Sequence, residues 1–195
     1  APASAILNLY GPTEVTISAP SHLVAKTLSV TPQRNIMAIG TPHPGLEAAI
    51  MTDDRRLASG DQPGELALSG PQLAAGYLNA DDLTAARFPI IDGKRWYLTG
   101  DQAFCDATGL YHHLGRLDNQ VKILGHRVEL EEIESHLREL SEAELVAAVA
   151  WPATDGTVRG IVAFIGGALI TAAPILTGLR LRLPAYSIPP RFIRI

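Results

Sequence analysis

One cysteine, Cys105, is all the sequence contains, so no disulfide forms within the chain, and no Cys/His spacing reads as a metal site. The lone thiol fits a reducing compartment and reads as a buried apolar residue. An excess of positive charge is missing too: 16 Lys and Arg face 20 Asp and Glu, which gives no electrostatic reason to expect nucleic acid or an anionic membrane as partner. A small molecule or a protein is the better expectation. Internal repeats and low-complexity segments are absent. Neither an initiator Met nor an export signal precedes Ala1-Pro2-Ala3-Ser4, and from this we expect a piece of a longer protein. The one long uncharged run, "GIVAFIGGALITAAPILTGL" at 160–179, reaches the length of a membrane span. Its Gly166-Gly167 and Pro174 would interrupt a single helix, so it reads as a buried strand, a turn and a short helix opening near Thr171, with no membrane insertion.

What is present is a chain of 195 residues, enough for one or two domains with a core of their own. From Asn35 to Tyr111 short apolar segments ("IMAIG", "LEAAIMT", "GELALSG", "RWYLTGD", "QAFC", "GLYHHLG") alternate with Gly, Pro and Asp. That rhythm predicts short strands and turns, with one helical patch at "DDLTAARF" capped by Asp81 or Asp82. After Arg116 the character changes. "ELEEIESHLREL" sets Leu130, Ile133, Leu137 and Leu140 on one helical stripe, with acids early and Arg138 late as the helix dipole favours. A strand "LVAAVAW", a turn at Asp155-Gly156 and a strand "VRGIVAFI" follow, so a small sheet packed by helices is expected beyond a boundary near Asp118. The fold class is therefore mixed α/β (α+β), a strand-rich part over 1–117 and a small α+β domain over 118–195.

The motif "NLYGPTE" at 8–14 places Tyr10, Thr13 and Glu14 around a Gly11-Pro12 turn. Such a turn is either a ligand site or an ordinary loop. Four more segments resolve the choice: "GELALSGPQLAAGYL" (64–78), "YLTGD" (97–101), "GRLDNQVKILGHRVELEEIE" (115–134) and "LPAYSIP" (183–189). Five motifs in this order resemble the adenylate-forming enzymes, which include the adenylation domains of non-ribosomal peptide synthetases, their free-standing relatives and acyl-CoA synthetases. The long form of the fourth motif resembles the amino-acid-activating members, and with "IIDGKRWYLTGD" it is similar to the D-alanine:carrier-protein ligases.

The resemblance implies ATP-dependent activation of a carboxylic acid, an amino acid foremost, as an acyl-adenylate with release of pyrophosphate. Transfer to the phosphopantetheine thiol of an acyl or peptidyl carrier protein follows, in the cytoplasm. An acyl- or aryl-CoA synthetase and a non-catalytic interaction module keeping the fold are the alternatives. By resemblance, Glu14 ligates Mg²⁺, a hard cation that prefers carboxylate and phosphate oxygens. The resemblance further implies that Thr13 contacts the α-phosphate, Tyr10 flanks the adenine and Asn8 bonds its edge, with Gly11 a further nucleotide-binding position. Asp101 accepts from the ribose hydroxyls, and the always-charged fork of Arg116 bridges ribose and phosphate. Leu9, Ile17 and Ser18 take acyl-pocket positions, all small or apolar, which suits a small or uncharged substrate side chain. Asp118 is the implied hinge of a rotating small domain, and Gly125 the place where the carrier's thiol-bearing arm approaches. Lys122 receives no role.

Two positions depart from the pattern. His113 stands where Tyr or Phe is usual, so an imidazole is expected to stack on the adenine over less area, with Tyr111 nearby. Ser187 stands where Met is usual. The family's phosphate loop precedes the first motif and its catalytic lysine follows the last, so these 195 residues alone are expected to show no pyrophosphate exchange.

Overall fold

The computed structural model describes residues 5–24, 29–32, 36–58, 61–151, 153–154, 157–167 and 171–195. Two compact units divide the chain, Ala1–Asp118 and Asn119–Ile195.

The first unit is built on a four-stranded antiparallel sheet in the order Tyr111–Arg116, Tyr97–Cys105, Gly64–Ser69 and Glu47–Met51. Alternation along the strands splits its side chains between two cores. Leu66, Leu68 and Tyr97 join Val15, Leu46 and Phe88 on one face, whereas Ala67 and Leu98 join Met51 and Trp96 on the other. Both faces are covered, which is why "ELALS" reads as a nearly continuous apolar run. A second sheet joins Leu7–Leu9, Pro20–Leu23 and Thr41–Pro42, and it carries the turn of the first motif. Helix α1, Asp81–Arg87, packs against the strand Tyr97–Cys105.

In the second unit, helices α2 (Leu130–Ser141) and α3 (Ala172–Arg180) pack on each other. They share a core with a sheet ordered Val146–Ala150, Ile161–Ile165 and Arg191–Arg194, its first pair antiparallel and its second parallel. The predicted stripe of α2 is the one that is buried: Leu130, Ile133 and Leu137 lie in the core and Leu140 packs at its edge. Strand Ile161–Ile165 followed by α3 accounts for the long uncharged run, and no described helix is long and apolar enough to cross a membrane.

Several local expectations differ from the structure. The N-cap of α1 is Ala80, with Asp81 and Asp82 one step inside the first turn, where their charges still face the positive end of the helix. "YLTGD" and "QAFC" belong to one nine-residue strand, with a bulge inside the first segment and no turn between them. "VRGIVAFI" divides into Thr157–Val158, which pairs with Ile123 in a different sheet, and Ile161–Ile165; Gly160 instead offers its carbonyl to Trp151. Cys105 sits half-buried at the rim of the core, where burial raises its thiol pKa. Asn35 and the expected turn at Asp155-Gly156 lie outside the described residues.

Candidate active site

The strand Tyr97–Cys105 shapes the site through a local irregularity. Thr99 Oγ1 donates to the Leu66 carbonyl at 2.8 Å and accepts from the Asp101 N–H at 3.0 Å, so the hydroxyl replaces a ladder bond where the register shifts between Leu98 and Gln102. Gly100, at φ +73°, fills the shift. Its N–H donates to Glu65 Oε1 at 2.7 Å, and a Cβ there would lie 2.7 Å from both Arg116 Nη2 and Asp118 Oδ2. The motif "TGD" thus reads physically: a hydroxyl to patch the ladder, a missing side chain to admit a guanidinium, and a carboxylate beyond.

That carboxylate is buried, with Asp101 only 6% exposed. Oδ1 accepts from Arg116 Nη1 at 3.0 Å and from His113 Nε2 at 3.1 Å, and Oδ2 accepts from the Tyr10 hydroxyl. Burial pushes its pKa up; the bonds from His113 and Tyr10 with the charge of Arg116 outweigh this and hold it below the usual carboxylate range. Burial and the neighbouring Asp101 charge raise the Tyr10 phenol well above its ordinary value, so it stays a donor. Arg116 spends the rest of its fork on Asp118, Nε to Oδ1 at 2.8 Å and Nη2 to Oδ2 at 2.6 Å, while Nη1 also reaches the Thr99 carbonyl at 3.1 Å. Burial lowers the guanidinium pKa, but the two carboxylates raise it by more, so its charge is fixed.

Glu14 comes from a 3-10 turn, Thr13–Val15, whose tightness depends on Gly11: a Cβ there would stand 2.4 Å from the Ile17 carbonyl oxygen. Glu14 Oε1 accepts from the Tyr77 hydroxyl at 2.8 Å, and its backbone carbonyl accepts from the Ala74 N–H at 2.8 Å. Thr13 stands exposed at the same turn. Among the described residues no group of three or more His, Cys, Asp and Glu gathers as a metal cage. One oriented carboxylate is the donor set that fits Mg²⁺ carried largely by a nucleotide's phosphates.

Residues 1–78 match the family described as AMP-binding enzyme. The D-alanine--D-alanyl carrier protein ligase of Bacillus cytotoxicus is 38% identical over 98% of the chain and 39% of its own length, and that of Bacillus mycoides is equally similar. Among solved structures, the Vibrio cholerae adenylation domain AlmE in complex with glycyl-adenosine-5′-phosphate is 36% identical with a TM-score of 0.86, matched over 98% of this chain and 37% of that one. PA1221, a non-ribosomal peptide synthetase protein containing adenylation and PCP domains, is 28% identical with a TM-score of 0.78, over 98% and 38%. The first 78 residues of this chain thus carry the AMP-binding enzyme pattern, and 98% of the chain is similar to the carrier protein ligases. The chain spans about two fifths of the curated relatives it matches, 39% of their length.

Of the residues that the sequence motifs single out, Tyr10, Asp101, His113, Arg116 and Asp118 form one hydrogen-bonded cluster. His113 donates from Nε2 to Asp101 Oδ1, and its ring is inclined at 41° to that of Tyr10. Asn8 is oriented by its amide, which donates to the Ala38 carbonyl at 2.8 Å. Leu9 and Ile17 are exposed, 58% and 74%, whereas the Ser18 hydroxyl is buried with no partner among the described residues. Gly125 belongs to the second unit, in the exposed two-residue turn Leu124-Gly125 between strands Gln120–Ile123 and His126–Glu129. Sequence reasoning missed Tyr77, Thr99, Gly100, Glu65 and Arg87, which approaches Asp118 Oδ2 at 3.7 Å and Glu65 Oε1 at 4.0 Å. Glu65, Tyr77, Thr99 and Gly100 sit inside quoted motifs, so the signal was present without a stated physical use.

Proposed function

We propose that the protein containing this chain activates a small amino acid with ATP, releasing pyrophosphate, and passes the acyl group to a carrier protein's phosphopantetheine thiol in the cytoplasm. The observation that carries the reading is the buried, ionised Asp101 with Tyr10 and Arg116 fixed around it. A carboxylate in this state is an acceptor for the ribose 2′- and 3′-hydroxyls, and the tyrosine ring beside it suits an adenine face. The Arg116 guanidinium keeps positive charge next to the position where the α-phosphate would follow the ribose.

In the first half-reaction the amino acid's carboxylate attacks the α-phosphorus and pyrophosphate leaves, so charge neutralisation is the main demand. Mg²⁺, when bound, supplies Lewis-acid polarisation of phosphate oxygens. Glu14, held by Tyr77, is the residue to hold it, and Thr13 offers its exposed hydroxyl to the α-phosphate. Asn8 keeps its side-chain oxygen for the adenine amino group. Leu9, Ile17 and Ser18 contribute a wall to the acyl pocket, and their size agrees with the D-alanyl and glycyl groups named for relatives. Asp118, the last residue of the first unit, is the proposed hinge, and Gly125 the proposed approach for the carrier's arm in the second half-reaction.

Acyl transfer to a phosphopantetheinylated carrier protein tests the whole scheme. Incubated with ATP, Mg²⁺ and D-alanine or glycine, the carrier should gain the mass of the aminoacyl group, and hydroxylamine should remove it. Loading of CoA with no loading of any carrier would contradict the proposal.

A further inference from the structure

Asp101 is over-subscribed for the task proposed above. A carboxylate offers about four lone-pair sites, two on each oxygen. His113 and Arg116 occupy both on Oδ1, and Tyr10 occupies one on Oδ2. A ribose diol presenting one hydroxyl to each oxygen therefore finds one vacancy and one contested position. Something must yield on Oδ1, and the two donors there are unequal. Arg116 is anchored by two further bonds to Asp118 and one to the Thr99 carbonyl, whereas among the described residues this is the one side-chain hydrogen bond of His113.

We propose that His113 is an internal competitor of the nucleotide: its imidazole holds the Asp101 oxygen that a ribose hydroxyl must take, and it swings away when the sugar binds. The inference rests on the ribose role of Asp101. Its consequence is specificity. Part of the gain from each diol is offset by the lost imidazole bond, so the chain discriminates less between a ribose and a sugar lacking both hydroxyls than the same site without His113. The imidazole also adds a resident donor to the buried carboxylate while the site is empty, which a Phe at the same position could not do. The structure provides for the departure as well as the contact: the His113 and Tyr10 ring centroids are 6.3 Å apart and inclined at 41°, so the imidazole is not clamped in a parallel stack.

The test is the ratio of affinities for adenosine and 2′,3′-dideoxyadenosine, read by calorimetry on the protein containing this sequence and on His113→Phe, His113→Leu and Asp101→Ala. Neither probe carries phosphate, so charge on the imidazole attracting a polyanion does not enter. Removing the competitor should raise the adenosine-to-dideoxyadenosine ratio about tenfold or more in both His113 variants, the effect of freeing one hydrogen bond to a charged acceptor. Phe and Leu differ in stacking but not in this respect. A gain confined to Phe and equal for both nucleosides would mean that His113 matters only as a ring, and would overturn the proposal. So would an unchanged ratio in both variants. Asp101→Ala separates the two claims: the ratio should fall toward one, and if it stays at the wild-type value, Asp101 is not the ribose acceptor and the underlying reading fails with it.

Discussion

At Gly100 a single methyl group would do disproportionate damage. Its φ of +73° disfavours any L side chain, and the added Cβ would press at 2.7 Å on the Arg116 and Asp118 atoms that bond each other. Gly100→Ala should lower stability by about 1–3 kcal/mol in urea unfolding and raise the KM for ATP, because Arg116 and Asp101 shift together. Full stability with an unchanged KM would show that the close approach is not needed. The residues that sequence motifs single out, Asp101 and Arg116 above all, are the ones that meet in space. What the sequence hid is who holds them. Tyr77 reaches Glu14 across 63 residues and His113 reaches Asp101 across 12, and no local periodicity encodes pairings set by tertiary packing.

Among elements, the turn that joins strands Tyr97–Cys105 and Tyr111–Arg116 depends on one acid. Asp106 Oδ1 accepts from the Thr108 N–H, the Thr108 hydroxyl and the Leu110 N–H, and Oδ2 from His112 Nε2 at 3.0 Å. Desolvation raises the carboxyl's pKa, and these bonds together lower it by more, well below the usual range. A depressed acid contributes stability that is complete above its unfolded pKa, ~3.9, and is lost as pH falls through the folded value. The protein should therefore lose stability below about pH 4, and Asp106→Asn should lose less over that range. Parallel acid curves for the two proteins would contradict the assignment.

Helix α2 was legible because its stripe has a clear 3.6-residue period, and Leu137 at its centre is fully buried. Leu137→Ala should cost about 2–5 kcal/mol of stability in urea unfolding, whereas a loss under about 1 kcal/mol would place that face outside the core. The short strands were less legible. Two-residue pairings such as Thr157–Val158 carry too few residues for a period of two, and their partners are chosen by the sheet they land beside.

For the whole molecule, the proposed two-step activity turns on Asp118, where the structure adds a complication. Its carboxylate is both the last group of the first unit and the bidentate partner of Arg116. Asp118→Pro changes backbone freedom and releases Arg116 at once; Asp118→Asn weakens the bond and leaves the backbone alone. If Asp118 is the hinge, the proline variant should impair one half-reaction more than the other, measured as pyrophosphate exchange and thioester formation. The asparagine variant should depress pyrophosphate exchange with little further effect on transfer. Equal losses in both half-reactions for the proline variant would place the hinge elsewhere.

The central claim is that this chain supplies the nucleotide site of an amino-acid-activating enzyme. Amino-acid-dependent exchange of pyrophosphate into ATP, measured on the protein containing this sequence and on its Asp101→Ala variant, tests it most directly. Exchange should depend on a small amino acid such as D-alanine or glycine, and should fall about 10²-fold or more in the variant, as expected when a group that positions the reacting nucleotide is removed. Exchange that proceeds equally well without the Asp101 carboxylate, or that no amino acid supports, would contradict the account.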